Sequence, residues 1–501
     1  MCGIIGLTCK LERFRRKPSR VVVEGLEKLE YRGYDSVGLA SIFNGKIIVK
    51  KGKGKIVDVK RSKMLEDTPG TTIIGHTRWA THGKPSDENA HPHVDCKGAI
   101  AVVHNGTIHN FLDLKEELQR LGHKFVSDTD TEVIPHLIEE YYRYTGDFYK
   151  AFKEAIKRLE GSFALAVITV YEPDKIFFAR KDSPLVIGVS EYAKFAASDI
   201  PAFLQYTRDI IVLRDYEVGY ITWKDVVIED LISGEIIDWR SRVRRVGWTA
   251  EAAAKGGYPH FMLKEIHEQP LALKETFMSV FEEIDEAVKL VMDSNRIFFT
   301  AAGTSYHASL VASYMFRNYA ATLTVPFIAS EYKCYTNVVK EGDLLIAVSQ
   351  SGETIDTLMA VREFKKRGAR VLAVSNVIES AIPRESDYTI YTRAGPEIGV
   401  AATKTFTTQV LALSLLILKY ALNMGQLESS EYKEYVETLK TSPKIVSKVL
   451  SALQGYSKSI GELLAEKNNV YYLGRGLGVP IAMEGALKLK EIAYIHAEAY
   501  P

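Results

Sequence analysis

The stretch DLLIAVSQSGETIDTLMAVREFKKRGARVLAVSN, residues 343–376, restricts the fold of this chain more than any other. An apolar strand runs into Ser-Gln-Ser-Gly, a helix continues to Lys366, Gly368 stops it, and a second apolar strand follows. Strands joined through a helix pair in parallel, because a hairpin needs only a few linking residues and a parallel return needs a dozen or more. NRIFFTAAGTSYHASLVASYMF repeats the strand, Gly turn and helix one unit earlier. After Pro270 the chain is therefore expected to build a doubly wound parallel α/β lobe over residues 281–425. VYYLGRGLGVPIAMEGALKL can be laid over IFFTAAGTSYHASLVASYMF with Gly476 on Gly303, which suggests a second copy over 458–501. That copy holds about 45 residues where a doubly wound domain usually needs ~100 or more, so it is expected to be incomplete.

The first 240 residues read differently. Short β-rich runs (TTIIGHTRWA, GAIAVVHNGTI, SFALAVITVY, KIFFAR, PLVIGV) cluster around helical stretches at Val21–Tyr31 and Asn110–Leu121. Such clustering suggests layered sheets rather than alternating βαβ units, in a domain spanning 2–240. Residues 241–280 turn charged, then small and Gly-rich, then aromatic, and are expected to be the linker.

Composition narrows the functional classes. Sixty-four basic residues against sixty-three acidic ones leave a net charge of +1, so no overall field exists to hold nucleic acid. Four cysteines without a CxxC pair suit a reducing cytoplasm. MCGIIGLTCKLERFRR turns basic too soon for a signal segment. The most apolar run, Val410 to Leu418, stops at Lys419, short of the roughly 20 residues a bilayer needs, and reads as a buried helix. No membrane association is expected. Eight of the twelve histidines lie between His76 and His136, but no HExxH or paired-Cys spacing accompanies them. No metal site is expected, and no cofactor.

Cys2 follows the initiator Met. Once Met1 is removed, as expected before a small residue, one residue carries both a thiol and a free α-amine. That amine, with an ordinary pKa of about 7.7–8.0, can take the thiol proton near neutrality. Three clusters fit an amide-cleaving set: His76 to Gly83 with Arg78 at a strand end, His104-Asn105-Gly106, and Ser127 to Glu132. Each has a plainer reading. Arg78 and Asp130 can form a solvated ion pair, Asn-Gly is the commonest hairpin turn signal, and Trp79 is more often core than gate.

CGI, YRGYDS, HTRWATHG, HNG and TDTE together resemble, in order, the glutaminase domain of N-terminal-nucleophile amidotransferases. The resemblance implies an αββα sandwich with Cys2 as nucleophile and Asn105 with the Gly106 N–H as oxyanion hole. It implies glutamine contacts from Arg78 to the α-carboxylate, Asp130 to the α-ammonium, and Trp79, Thr81 and His82 around them, with Trp79 gating an ammonia passage.

Ser349-Gln350-Ser351-Gly352-Glu353-Thr354 lies between a strand and a helix N-terminus, where free N–H groups and hydroxyls can cradle a phosphate. Gly303-Thr304-Ser305 repeats the arrangement. Neither is a P-loop, and either alone reads as ordinary helix capping. Together with PEIGVAATKTFTTQ and EGALKLKEIAYIHAEAY they resemble the sugar-isomerase (SIS) lobes of glucosamine-6-phosphate synthases. The resemblance implies Ser349, Gln350, Ser351 and Thr354 on the phosphate, and Gly303, Thr304 and Ser305 near the sugar. Val400 and Ala402 contribute from the following loop. The family often carries Cys and Ser where this chain has Ala302 and Ala402, so backbone contacts are expected there. Glu484, Lys488 and Glu491 share one helix face by spacing. By resemblance, Glu491 shuttles a proton between C1 and C2 of the sugar and Lys488 assists. The ring-opening histidine and the Schiff-base lysine of the family are expected beyond Pro501.

The family reading implies glutamine-dependent amination and isomerisation of fructose 6-phosphate by a homodimer. A phosphoribosyl pyrophosphate amidotransferase is disfavoured, since the sequence has no Asp-Asp pair. Two alternatives remain: a fragment that only hydrolyses glutamine, and a non-catalytic sensor of glutamine or sugar phosphate.

Overall fold

The computed structural model describes residues 2–80, 82–246, 257–378 and 380–501. Two compact units divide the chain, Met1–Ala250 and Glu251–Pro501.

The first unit stacks two antiparallel sheets. One runs β15 (Arg244–Arg245), β11 (Asp209–Val212), β9 (Val186–Val189), β10 (Ala193–Ala197), β1 (Gly3–Cys9), β4 (Thr72–Arg78), β2 (Ser36–Phe43), β3 (Lys46–Lys53). The other runs β14 (Ile236–Ile237), β13 (Val226–Asp230), β12 (Glu217–Ile221), β8 (Ile176–Lys181), β7 (Gly161–Thr169), β6 (Ile100–Ile108), β5 (His93–Val94). Period-2 alternation explains the layering. Ala101, Val103, Ala164, Ala166 and Ile168 point between the sheets and meet Ile4, Ile74 and Ala196. Their neighbours Ile100, Val102, Phe163, Leu165 and Val167 point outward and are covered by α3 (Phe111–Arg120), α4 (Val133–Thr145) and α5 (Phe148–Lys157). On the opposite side α1 (Pro18–Leu29) lies over β1 and β4, and the short α2 (Ile56–Ser62) sits by β2 and β3. The result is the expected αββα sandwich.

The second unit is built on a fully parallel sheet in the order β17 (Thr324–Ile328), β16 (Ile297–Ala301), β18 (Leu344–Ser349), β19 (Arg370–Ser375), β20 (Tyr388–Tyr391). Ile297, Phe299, Ile346, Val348 and Val374 face one side, against α6 (Phe261–Met292), α7 (Gly303–Ala320) and α11 (Lys404–Asn423). Phe298, Leu345, Ala347 and Val371 face the other, against α9 (Ile355–Lys366) and α10 (Ala381–Glu385), with α8 (Tyr332–Thr336) beside them. The expected doubly wound lobe is this one. α11 is long and apolar enough to cross a membrane, but most of it is buried within the unit, as a core helix is. α12 (Ser429–Leu464) starts with a Glu428–Glu431 capping box and packs its first turns on α6 and α11. β21 (Asn469–Leu473), α13 (Gly478–Ala493) and β22 (His496–Tyr500) form one parallel βαβ unit, with α13 against α7.

The linker expectation needs correction. Residues 261–280 are not linker but the first turns of α6, and Ala272, Leu273 and Phe277 are buried in the second unit's core. Pro270 marked a boundary in the sequence because proline has no N–H to give the carbonyl four residues back. Here the Gln269 side chain donates from Nε2 to that carbonyl, Ile266 O, at 2.9 Å. The neighbouring amide supplies the missing bond, and the helix passes through.

Candidate active sites

In the first unit β1 pairs with β4 so that Gly3 lies opposite Thr77, which sets Cys2 beside the exit of β4. Cys2 Sγ accepts the Trp79 backbone N–H at 3.2 Å. The Cys2 carbonyl accepts from Asn105 Nδ2 at 2.8 Å and from Arg32 Nε at 3.1 Å. Burial pushes the thiol pKa up, while the Trp79 N–H and the Arg78 and Arg32 charges pull it back. Near neutrality the thiol thus keeps its proton until a base removes it.

Asn105 is held from behind. His76 Nε2 lies 3.0 Å from both Asn105 Oδ1 and the His104 carbonyl. His76 is fully buried, and burial pulls its pKa down to about 3, so the ring is neutral. Two oxygens facing Nε2 place the single proton there. Nδ1 is then bare, and it is buried without a partner among the described residues. With Oδ1 engaged, Asn105 can only turn its NH2 toward Cys2.

Asn105 and Gly106 lie inside continuous β6, opposite Ala164 and Phe163, so the hairpin-turn reading is set aside. Gly106 has φ +132°, and a Cβ there would stand 2.0 Å from the Ser162 carbonyl. Only glycine fits.

Arg78 is buried, which pulls its guanidinium below the ordinary value against the charges of Cys2, Asp35 and Asp130. Its Nη2 donates to the carbonyls of Gly83, at 3.0 Å, and His82. Its Nη1 is buried with no hydrogen-bond partner among the described residues. Asp130 is buried too, and Oδ2 accepts the Ile108 N–H at 2.8 Å. A solvated ion pair is therefore ruled out. Trp79 is partly exposed and meets Tyr34 edge-on at 5.3 Å. The His82 ring packs edge-on to Phe111, with Nδ1 buried and unpartnered among the described residues. Thr81 lies outside the described residues.

Three residues here have roles the motifs alone did not disclose. Asp35 donates its N–H to the Arg78 carbonyl at 2.9 Å and accepts the Ala80 N–H on Oδ2 at 2.7 Å. It clamps the chain on both sides of Trp79. Arg32, from the same YRGYDS run, holds Cys2 and also pairs with Asp199 at 3.2 Å. His76 orients Asn105.

In the second unit the chain passes from β16 outward to β17, then back across to β18. The carboxyl ends of β16 and β18 thus flank the switch point where such sheets open a crevice for ligands. Gly303 opens α7 there with φ +54°. Thr304 Oγ1 donates to Glu484 Oε1 at 2.9 Å and accepts from Lys488 Nζ at 3.0 Å. Lys488 Nζ also reaches Glu491 Oε2 at 2.6 Å, and His307 Nδ1 lies 2.7 Å from Glu484 Oε2. One face of α13 therefore meets the start of α7. Ser305 Oγ accepts from Gln409 Nε2 at 3.1 Å.

After β18, Ser349 Oγ lies 2.9 Å from Thr354 Oγ1 and accepts the Gly352 N–H at 3.0 Å. Ser351 Oγ accepts the Glu353 N–H at 3.2 Å, and the Gln350 carbonyl accepts the Asn376 N–H. Gly352 has φ +63°, and a Cβ there would stand 1.9 Å from Ser380 Oγ. The loop carrying Val400 and Ala402 is shaped by two carboxylates that sequence reasoning passed over. Glu265 accepts the Ile398 N–H at 2.5 Å and the Gly399 N–H at 3.0 Å, and Glu397 accepts the Thr403 N–H at 2.8 Å. Val400 points to solvent.

A glutamine amidotransferase domain model matches residues 76–205, and a SIS domain model matches residues 290–419. The chain is 53% identical over 504 aligned residues to the glutamine–fructose-6-phosphate aminotransferase (isomerizing) of Sulfurisphaera tokodaii, covering 100% of this chain and 82% of that one. It is 51% identical to the protein of the same name from Sulfolobus acidocaldarius, with the same coverage. A solved C-terminal domain of glucosamine-fructose-6-phosphate aminotransferase from Francisella tularensis is 43% identical with TM-score 0.48, covering 50% of this chain and 71% of that one. The chain belongs to the isomerizing glutamine–fructose-6-phosphate aminotransferase family.

Proposed function

We propose that the chain moves the amide nitrogen of glutamine to fructose 6-phosphate and isomerises the product to glucosamine 6-phosphate. The observation that carries the first half is the donor set at Cys2: an Asn105 NH2 locked toward the residue, and a buried Arg78 nitrogen with no protein acceptor among the described residues.

After Met1 is removed, the α-amine of Cys2 takes the thiol proton and Sγ attacks the glutamine amide carbon. The tetrahedral oxyanion is held by Asn105 Nδ2 and the Gly106 N–H, donors worth a few kcal/mol when aimed at developing charge. The proton passes to the leaving nitrogen, ammonia departs, and the thioester is hydrolysed by water to glutamate. Arg78 pairs with the substrate α-carboxylate, a planar donor meeting two oxygens. Asp130 meets the α-ammonium, and Trp79, Thr81 and His82 enclose the substrate. Ammonia travels to the sugar site without equilibrating with bulk water, with Trp79 as its gate. Protonation in bulk would remove its nucleophilicity.

Ser349, Gln350, Ser351 and Thr354 hold the sugar phosphate, with Gly303, Thr304 and Ser305 beside the sugar and the Val400–Ala402 backbone across from them. Ammonia adds to C2, water leaves, and Glu491 takes a proton from C1 and returns one to C2, with Lys488 holding its charge. No organic cofactor enters these steps. The enzyme works as a cytoplasmic homodimer.

The test uses glutamine labelled with 15N in its amide, together with fructose 6-phosphate. Label in the amine of a hexosamine phosphate, lost in Cys2→Ala, is the expected result. Hexosamine phosphate formed equally by Cys2→Ala overturns the reading.

A further inference from the structure

The first unit brings a thiol, two imidazoles and a carboxylate together, apart from the residues that hold Cys2. Cys96 sits in the turn between β5 and β6, His123 follows α3, and His136 and Glu139 lie three apart on one face of α4. Cys96 Sγ is 3.6 Å from His123 Nδ1 and 3.5 Å from His136 Nδ1. The two Nδ1 atoms are 3.3 Å apart, and His123 Nδ1 is 3.4 Å from Glu139 Oε2. All four ligand atoms lie within 4.8 Å of one another.

These four separations match four of the six edges of a zinc tetrahedron. With Zn–N about 2.0–2.1 Å, Zn–S about 2.3 Å and Zn–O about 2.0–2.2 Å, the N···N edge is about 3.3–3.4 Å, N···S about 3.5–3.6 Å and N···O about 3.3–3.5 Å. We propose that Cys96, His123, His136 and Glu139 bind a structural zinc ion that ties the β5–β6 turn to α4.

The surroundings suit a bound cation. His123 Nε2 lies 3.0 Å from Glu140 Oε2, the carboxylate support that fixes a metal-bound imidazole with Nδ1 as its ligand. His136 Nε2 faces Glu132 Oε1 at 3.8 Å. Arg143 donates to Glu139 Oε1 and Glu140 Oε2, each at 2.8 Å, leaving Glu139 Oε2 turned inward. The Lys124 N–H points at Cys96 Sγ at 3.5 Å, and the Cys96 N–H donates to Glu139 Oε2 at 3.2 Å. Thiolate and carboxylate together neutralise a divalent ion, and binding releases the thiol proton. Sulfur and imidazole ligands favour zinc over magnesium or calcium. Four protein ligands leave no open position, which marks the site as structural rather than catalytic. His123, His136 and Glu139 are buried and Cys96 is exposed, so the ion enters past the thiol.

The untagged 501-residue chain is purified without chelator, dialysed, and its metal content read by plasma mass spectrometry. About one zinc per chain is expected, falling at least about ten-fold in Cys96→Ser. The wild-type apoprotein, titrated with Co2+, is expected to develop tetrahedral d–d absorption with a thiolate-to-cobalt charge-transfer band. That arm decides the matter even if the variant fails to fold. Zinc retained by a folded Cys96→Ser, or a cobalt titration with no thiolate band, overturns the site.

Discussion

Asn105 presents its amide nitrogen, not its oxygen, to the Cys2 carbonyl 2.8 Å away, because His76 already occupies the oxygen. If that NH2 carries the oxyanion, Asn105→Ala lowers kcat for glutamine cleavage by about 10²–10³-fold, with a much smaller change in KM. Steady-state glutamate release checks this. A loss confined to KM would instead make Asn105 a substrate-binding group.

The first unit is expected to lose stability in mild acid. His76, His91, His93 and His104 are buried, and burial pulls each below its ordinary pKa. The folded state keeps them neutral while the unfolded chain takes up protons near pH 6.5. The unfolded state then binds more protons, and stability falls as pH drops below about 6.5. Each such histidine contributes up to about 1.4 kcal/mol per pH unit. The His76 share persists until the folded ring protonates at about 3. All four tryptophans lie in the first 250 residues, so their fluorescence during urea unfolding reports this unit. A urea midpoint unchanged between about pH 7.5 and 5 contradicts the expectation.

Arg78 Nη1 is buried with no hydrogen-bond partner among the described residues. Arg78→Lys keeps the charge but loses the planar fork, and is expected to raise KM for glutamine roughly 10- to 100-fold, with kcat changing less. An unchanged KM would remove Arg78 from glutamine binding.

Gly352→Ala separates the two halves of the account. Its Cβ collides with Ser380, and its positive φ disfavours any side chain. Calorimetry is expected to find fructose 6-phosphate binding weakened at least about ten-fold, with glutamine hydrolysis retained. Unchanged sugar-phosphate binding would move the phosphate away from this loop.

Much of this was legible in the sequence, for physical reasons. Strand, Gly turn and helix in DLLIAVSQSGETIDTLMA announce a parallel crossover, and the unbroken apolar runs IAVV of β6 and FALAVI of β7 announce a sheet buried on both faces. The motif order placed Cys2, Arg78, Asn105 and Asp130 in one domain. What escaped depended on side chains answering local defects. Pro270 looked like a break until Gln269 supplied the missing donor. Asn105-Gly106 looked like a hairpin turn, though pairing with β7 keeps it in a strand. His76 carries no motif of its own for orienting an amide. The Cys96–His123–His136–Glu139 group was invisible because only His136 and Glu139 share an element, while Cys96 and His123 come from two separate turns.

The central claim is that Cys2, freed of Met1, is the atom that takes glutamine apart. An electrophilic glutamine analogue, with a chloroketone in place of the amide, reads this directly by peptide mass spectrometry of the active enzyme. The account predicts a peptide that begins at Cys2 and carries the adduct on its sulfur, with glutamate release lost in step. Met1 retained on fully active protein, or an adduct on another residue as activity disappears, would contradict it.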